Sequence, residues 1–140
     1  MNIFGKLSKE QKLAIKHFAN KLISKQMQKN VTIRVIFTKY QSMLGETEIM
    51  DYNAKGEPRE FALILQKNID KNETLKTLAH EMVHVKQYLY KELNEQMTFW
   101  KKKKVSEEQY ANYCDRPWEK EAYKVGDKLF EEYYENIRKY

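Results

Sequence analysis

The residues His80-Glu81-Met82-Val83-His84 constrain this chain more than any other stretch. On an α-helix, side chains four apart stand on one face, one turn from each other. His80 and His84 therefore aim two imidazoles at one place. Glu81 stands to the side of the pair, within reach of a water on a metal ion that the histidines would hold. Two His ligands and a Glu that takes a proton from water are the parts of a zinc hydrolase site. The stretch must then be helical, with its other side packed. Leu75, Leu78, Ala79, Met82, Val83 and Leu89 recur at three- and four-residue spacing, as a buried helix requires. No Gly or Pro falls between Lys71 and Tyr110, Asp70 or Asn72 is placed to cap the N-terminus, and Glu73 sits in the first turn. The alternative is two buried histidines satisfied by hydrogen bonds, with Glu81 as a surface charge.

A catalytic zinc takes three protein ligands and keeps a position for water. The chain has three histidines, His17, His80 and His84, so none follows the motif. Gln87 and Tyr90 stand where a metzincin continuation needs Gly and His. The third ligand is therefore expected to be a carboxylate, or else His17, which lies beside Phe18 and reads as a surface or core-edge residue. The carboxylate candidates lie in Pro117-Trp118-Glu119-Lys120-Glu121-Ala122-Tyr123-Lys124-Val125-Gly126. At about 100° per residue, Ala122, Gly126, Leu129, Tyr133 and Ile137 form one inward stripe. Glu119 lies one turn before Ala122, within that stripe; Glu121 falls on the opposite face, near Lys124, Lys128 and Glu135. Small residues at 122 and 126 let this helix approach the motif helix closely. Glu119 is thus the predicted third ligand and Glu121 the alternative, although a carboxylate at a helix start is also favoured by the helix dipole alone.

Together, His80-Glu81-Met82-Val83-His84 and a following helix with Glu119-x-x-Ala122 resemble gluzincin-type metallopeptidases. The resemblance is to the small zincins of bacteria and phages, including the ImmA/IrrE-like group, whose pattern places a Glu three residues before an Ala. The motif helix is also similar to that of SprT-like proteases, which supply a third His that this chain lacks downstream. The resemblance implies a minimal zincin fold, a Zn2+ cofactor, and hydrolysis of a protein or peptide substrate. Glu81 is the expected general base and His80, His84 and Glu119 the expected ligands. Tyr123, four residues after Glu119, is a candidate oxyanion donor; Tyr110 and Tyr113 precede the ligand helix and are placed to fold over the cleft. Substrate peptides in such folds add to an exposed strand edge, here one near residues 45–66.

The rest of the chain reads as α+β. Ser8 and Gln11 form a capping box that opens a helix from about Lys9 to about Gln28. Val31–Phe37, Gly45–Tyr52 and Arg59–Gln66 read as a small three-stranded sheet, the last two strands forming a hairpin over the turn residues 53–58. One or two short helices are expected between Glu92 and Asn112, then a final helix from Pro117 to about Ile137, with Asp115 or Arg116 at the cap and Asp115 the better candidate chemically. Residues 1–140 suit one domain. A single cysteine, Cys114, excludes an internal disulfide and favours a reducing compartment. No signal peptide or membrane-length apolar run is seen, so a cytoplasmic protein is expected. Cys114 lies five residues before Glu119; a small buried hydrophobe is its ordinary role, a latency thiolate near zinc the alternative. The net charge of +6 permits an acidic partner, and Lys101–Lys104 is the tightest basic cluster, either a solvated connector or a phosphate contact. The competing function is a zinc-stabilised module that binds nucleic acid or an acidic protein without catalysis.

Overall fold

A computed structural model describes residues 1–39, 42–106, 108 and 110–138, with the side chains of Ile137 and Arg138 excepted. The protein is a mixed α+β structure with four α-helices among the described residues. Its strands are β1 (Asn2–Gly5), β2 (Thr32–Thr38), β3 (Gly45–Tyr52) and β4 (Pro58–Gln66), in the spatial order β1-β2-β4-β3. β1, β2 and β4 are parallel, and β3 runs antiparallel to β4 as the hairpin partner. The sheet therefore has four strands and not the expected three. β1 escapes a pattern reading because it is short and mostly exposed. Its partner lies far along the chain, with Asn2 opposite Thr32.

Alternation along β2 decides which face is covered. Ile33 and Val35 are buried, while Arg34 and Ile36 are exposed. β4 is buried through Phe61, Ala62 and Leu63 in succession, as a central strand requires. The buried side packs on α1 (Lys9–Leu22) and α3 (Lys71–Leu89) in one core cluster with Ile15, Phe18, Leu78 and Met82. α4 (Pro117–Tyr133) lies against α3 and contributes Trp118, Ala122, Leu129 and Phe130 to the same cluster.

The N-terminal helix keeps its capping box, with Ser8 Oγ accepting from Gln11 N and Gln11 Oε1 accepting from Ser8 N. It stops at Leu22 and does not run to Gln28. Ile23 is extended, and Ser24 caps a separate short helix, α2 (Lys25–Gln28), by accepting from Met27 N. Gln28 secures the break, its amide donating to Ala19 O and Ile23 O. A serine that can cap competes with helix continuation, and here it wins.

The expected short helices between Glu92 and Asn112 are absent among the described residues. In their place β5 (Phe99–Trp100) and β6 (Lys103–Lys104) form an antiparallel hairpin turning at Lys101-Lys102. Asn94 organises the entry, its Oδ1 accepting from Thr98 N and Phe99 N. The first helical piece after α3 is a 3-10 turn, Tyr113–Asp115. That turn takes Asp115 away from the cap of α4: Arg116 holds that position without a side-chain bond, and Pro117 supplies the preset φ. α4 ends at Tyr133 and passes into a π-turn, Tyr134–Arg138; the Ile137 side chain expected on the inward stripe lies outside the described set.

The contact that fixes α4 on α3 is made at Gly126. A Cβ there would stand 3.0 Å from His80 Cα and 3.1 Å from His80 N, both backbone atoms of a packed helix. Gly126→Val should therefore lower stability in urea unfolding by about 1–3 kcal/mol, the usual cost of overpacking. An unchanged midpoint would mean that the two helices do not meet this tightly.

Candidate metal centre

α3 and α4 bring His80, His84 and Glu119 together across 39 residues of chain. Their donor atoms lie within 4.8 Å of one another. His80 Nε2 is 3.1 Å and His84 Nε2 3.0 Å from the same oxygen, Glu119 Oε1. The two imidazole planes stand at 79° with centroids 4.9 Å apart. Glu119 and His84 are nearly fully buried. Helical phase thus puts Glu119 where the inward stripe predicted.

A tautomer argument shows what this arrangement needs. Gln87 is fully buried, and its Nε2 donates to Trp118 O at 3.0 Å and to Glu121 Oε1 at 3.2 Å. Both of those partners only accept, so the amide cannot be turned round. Gln87 Oε1 must then face His84 Nδ1, 2.8 Å away, and Nδ1 must carry the proton. In a neutral His84 this leaves the Nε2 lone pair aimed at a carboxylate oxygen. Two acceptors meet at 3.0 Å, and the gap between them requires positive charge, either a second proton or a metal ion. Two ligands on one tetrahedral zinc stand about 3.3 Å apart, from bond lengths of about 2.0–2.1 Å. The two separations to Glu119 are a few tenths shorter and all three donors lie within 4.8 Å, so the set closes on such an ion once the imidazoles adjust around it.

The electrostatics agree. Burial alone would push Glu119 up, but the hydrogen bonds with His80 and His84, the His84 charge and the Tyr113 hydroxyl outweigh it and hold the carboxyl down to about 2. Burial opposes charge on His84, yet its bond to Glu119 and the charges of Glu81 and Glu119 lift it above the ordinary histidine value. Metal-free, the cluster is held by a proton that a cation would displace.

Glu81 is almost fully buried and stands outside the donor group. Thr47 Oγ1 donates to its Oε1 at 2.8 Å, reaching from β3. Gly45, also on β3, packs so closely that a Cβ would lie 3.1 Å from Glu81 Oε2 and 2.6 Å from Thr77 Cγ2. Burial pushes the Glu81 carboxyl up, against the pull of His84, His80 and the Thr47 bond. A carboxylate raised in this way takes protons more readily.

A cleft of about 430 Å³ opens over His80 and Glu81, with Met43, Leu44, Tyr113 and Tyr123 on its walls. A larger hollow of about 600 Å³ lies elsewhere, at Gly5, Val35, Gln66 and Thr74, away from the donor group. Tyr123 sits where the spacing expected, its ring 4.4 Å from that of His80, half exposed at 51%. Tyr113 is the more engaged tyrosine, its hydroxyl donating to Glu119 and its acidity suppressed by burial and the Glu119 charge. Tyr110 instead packs edge-on to Trp118. His17 packs on Phe18 and Tyr133, and Cys114 is exposed; neither belongs to the donor group. Glu121 is bonded to Gln87 and Lys101 instead. Thr47 and Gln87 were not foreseen. Gln87 carries a signal, three residues after His84 on the same helix face, whereas nothing local marks Thr47.

No family model, curated protein or solved structure matches this chain. The chemistry of the site therefore rests on its own geometry: three convergent donors that can hold a metal ion, beside a buried carboxylate on an open cleft.

The purified protein should take up about one divalent cation per chain. His80→Ala, His84→Ala or Glu119→Ala should each remove most of it, as read by metal analysis after dialysis. Glu121→Ala should still reach full occupancy at saturating metal. Loss in Glu121→Ala with retention in Glu119→Ala would reverse the assignment of the third ligand.

Proposed function

We propose that this protein is a zinc-dependent peptidase. The observation that carries the reading is Glu81, a buried carboxylate that is not part of the donor group yet lies beside it on the cleft. A structural zinc site is closed by four protein ligands and has no use for an acid–base group. The succession of a first helix, the main strands, the motif helix and the ligand helix resembles the order expected of a minimal zincin core, and it supports the same reading. His80, His84 and Glu119 would hold the zinc, which when bound would supply Lewis acidity toward a water and a substrate carbonyl. Glu81 takes the proton of the attacking water and delivers it to the departing amine. Thr47 and Gly45 hold Glu81 in place for both transfers. Tyr123, half exposed on the cleft wall beside His80, is the donor to the developing oxyanion.

The substrate is an extended peptide. β3 is the sheet edge beside the cleft, and its Gly45 and Thr47 touch the motif helix. A peptide that pairs with β3 passes over Glu81 and His80. Among the described residues no helix is long and apolar enough to cross a membrane, and the exposed Cys114 suits a reducing compartment such as the cytoplasm.

Glu81→Gln keeps the shape and removes the base. It should retain zinc and lose about 10²–10⁴ in rate on unfolded protein substrates. Chelator should stop the wild-type cleavage. Equal, chelator-sensitive activity in wild type and Glu81→Gln would eliminate this mechanism.

A second reading is a zinc-stabilised module that binds nucleic acid. It is favoured by the β5–β6 hairpin, where Lys102, Lys103 and Lys104 are exposed together with Phe99. Lysines beside an exposed aromatic ring suit a single strand. Binding through them should weaken steeply with salt and fall when all three are changed to Gln. Absence of DNA or RNA binding at low salt would leave the hairpin without this role.

A further inference from the structure

The lysine run that gives the β5–β6 hairpin its charge reaches the metal centre from behind. Lys101 Nζ bonds Glu121 Oε2 at 2.9 Å. Glu121 Oε1 accepts from Gln87 Nε2 at 3.2 Å, and Gln87 Oε1 accepts from His84 Nδ1 at 2.8 Å. We propose that Lys101, Glu121 and Gln87 form a positioning chain that holds His84 in its ligating tautomer and ring orientation. This rests on the reading of His84 as a metal ligand.

Each link is constrained. Gln87 is fully buried, with both amide N–H groups engaged by Trp118 O and Glu121. Its carbonyl oxygen therefore has one use, which is to fix the proton on His84 Nδ1 and leave Nε2 as the donor. Glu121 is the member of the chain that a helix surface would ordinarily leave to solvent, since it faces away from the inward stripe of α4. Lys101 pins one of its oxygens, so the other stays on Gln87. His80 has no equivalent support: its Nδ1 is buried without a hydrogen-bond partner among the described residues. Of the two histidines, His84 alone is thus held through its Nδ1.

The hairpin turn adds an independent observation. Lys101 and Lys102 have φ of 48° and 72°, the left-handed region that a two-residue hairpin turn demands. Asn and Gly adopt it at least cost, and lysine does not. An ion pair as exposed as Lys101–Glu121, with the lysine side chain half in solvent, contributes little to stability. Stability is therefore a poor reason for a lysine at position 101. Its side chain crosses the Trp100 ring at 4.9 Å from the centroid and ends on Glu121.

The test is titration of the metal-free chain with Co2+, read by its visible spectrum and by competition with a chelator. Gln87→Leu should weaken Co2+ binding by about 10–100-fold, the usual effect of losing an outer partner of a ligating histidine. Lys101→Met, exposed, and Glu121→Ala, partly buried, should each weaken it several-fold and alter the visible bands, with the circular dichroism and urea midpoint of each variant checking that the fold is kept. Lys102→Met, in the same turn, should match wild type. The sign for Lys101 is diagnostic: removing a positive charge by itself tightens cation binding, whereas loss of a positioning link loosens it. Lys101→Met binding as tightly as Lys102→Met, or more tightly, overturns the chain while leaving the metal site intact. No Co2+ uptake by wild type overturns the metal site and the chain together.

Discussion

Two imidazole nitrogens and one carboxylate oxygen meet at the floor of a cleft, two of the three side chains buried, and that meeting governs much else in the structure. It cannot stand as three neutral or negative acceptors. It needs positive charge at its centre, and the protein has arranged its second helix pair around that need. α4 comes close enough only because residue 126 has no side chain. Glu119 enters two turns earlier, at the start of the helix, where its charge also suits the exposed N–H groups. Trp118, buried beside it, anchors the same turn in the core.

The motif helix was legible because two independent signals agreed. A 3.6-residue apolar period and the His-x-x-x-His spacing placed the same residues on opposite sides of one helix, and Asp70 marked its start. Glu119 was legible for a related reason: a stripe of Ala122, Gly126 and Leu129 fixes helical phase, and phase separates residue 119 from 121. What failed was everything that depends on a side chain overriding a local pattern. Ser24 and Gln28 cut a continuous amphipathic stretch in two. Asn94 folded a polar, aromatic segment into a hairpin that no β-rich run announces. β1 became a strand only because β2 offers it an edge thirty residues later.

The support of the site was less legible than its ligands. Thr47 touches Glu81 through tertiary packing of β3 on α3, and no sequence spacing encodes that. Glu121, set aside as a ligand, is still engaged, because the hairpin that follows α3 returns over the start of α4. A pattern reading finds residues that share an element. It misses residues that meet because two irregular segments cross.

Because His84 and Glu119 lie 35 positions apart on two different helices, an ion held between them would also act as a removable cross-link. It closes the loop that contains the hairpin and the 3-10 turn, both built from short, mostly exposed pieces. By mass action, a cation present at a hundredfold above its dissociation constant favours the folded form by about 2.7 kcal/mol. Removing such an ion would lower the population in which α4 is docked, so that protease resistance and shelf life of a metal-loaded chain would become functions of free metal concentration.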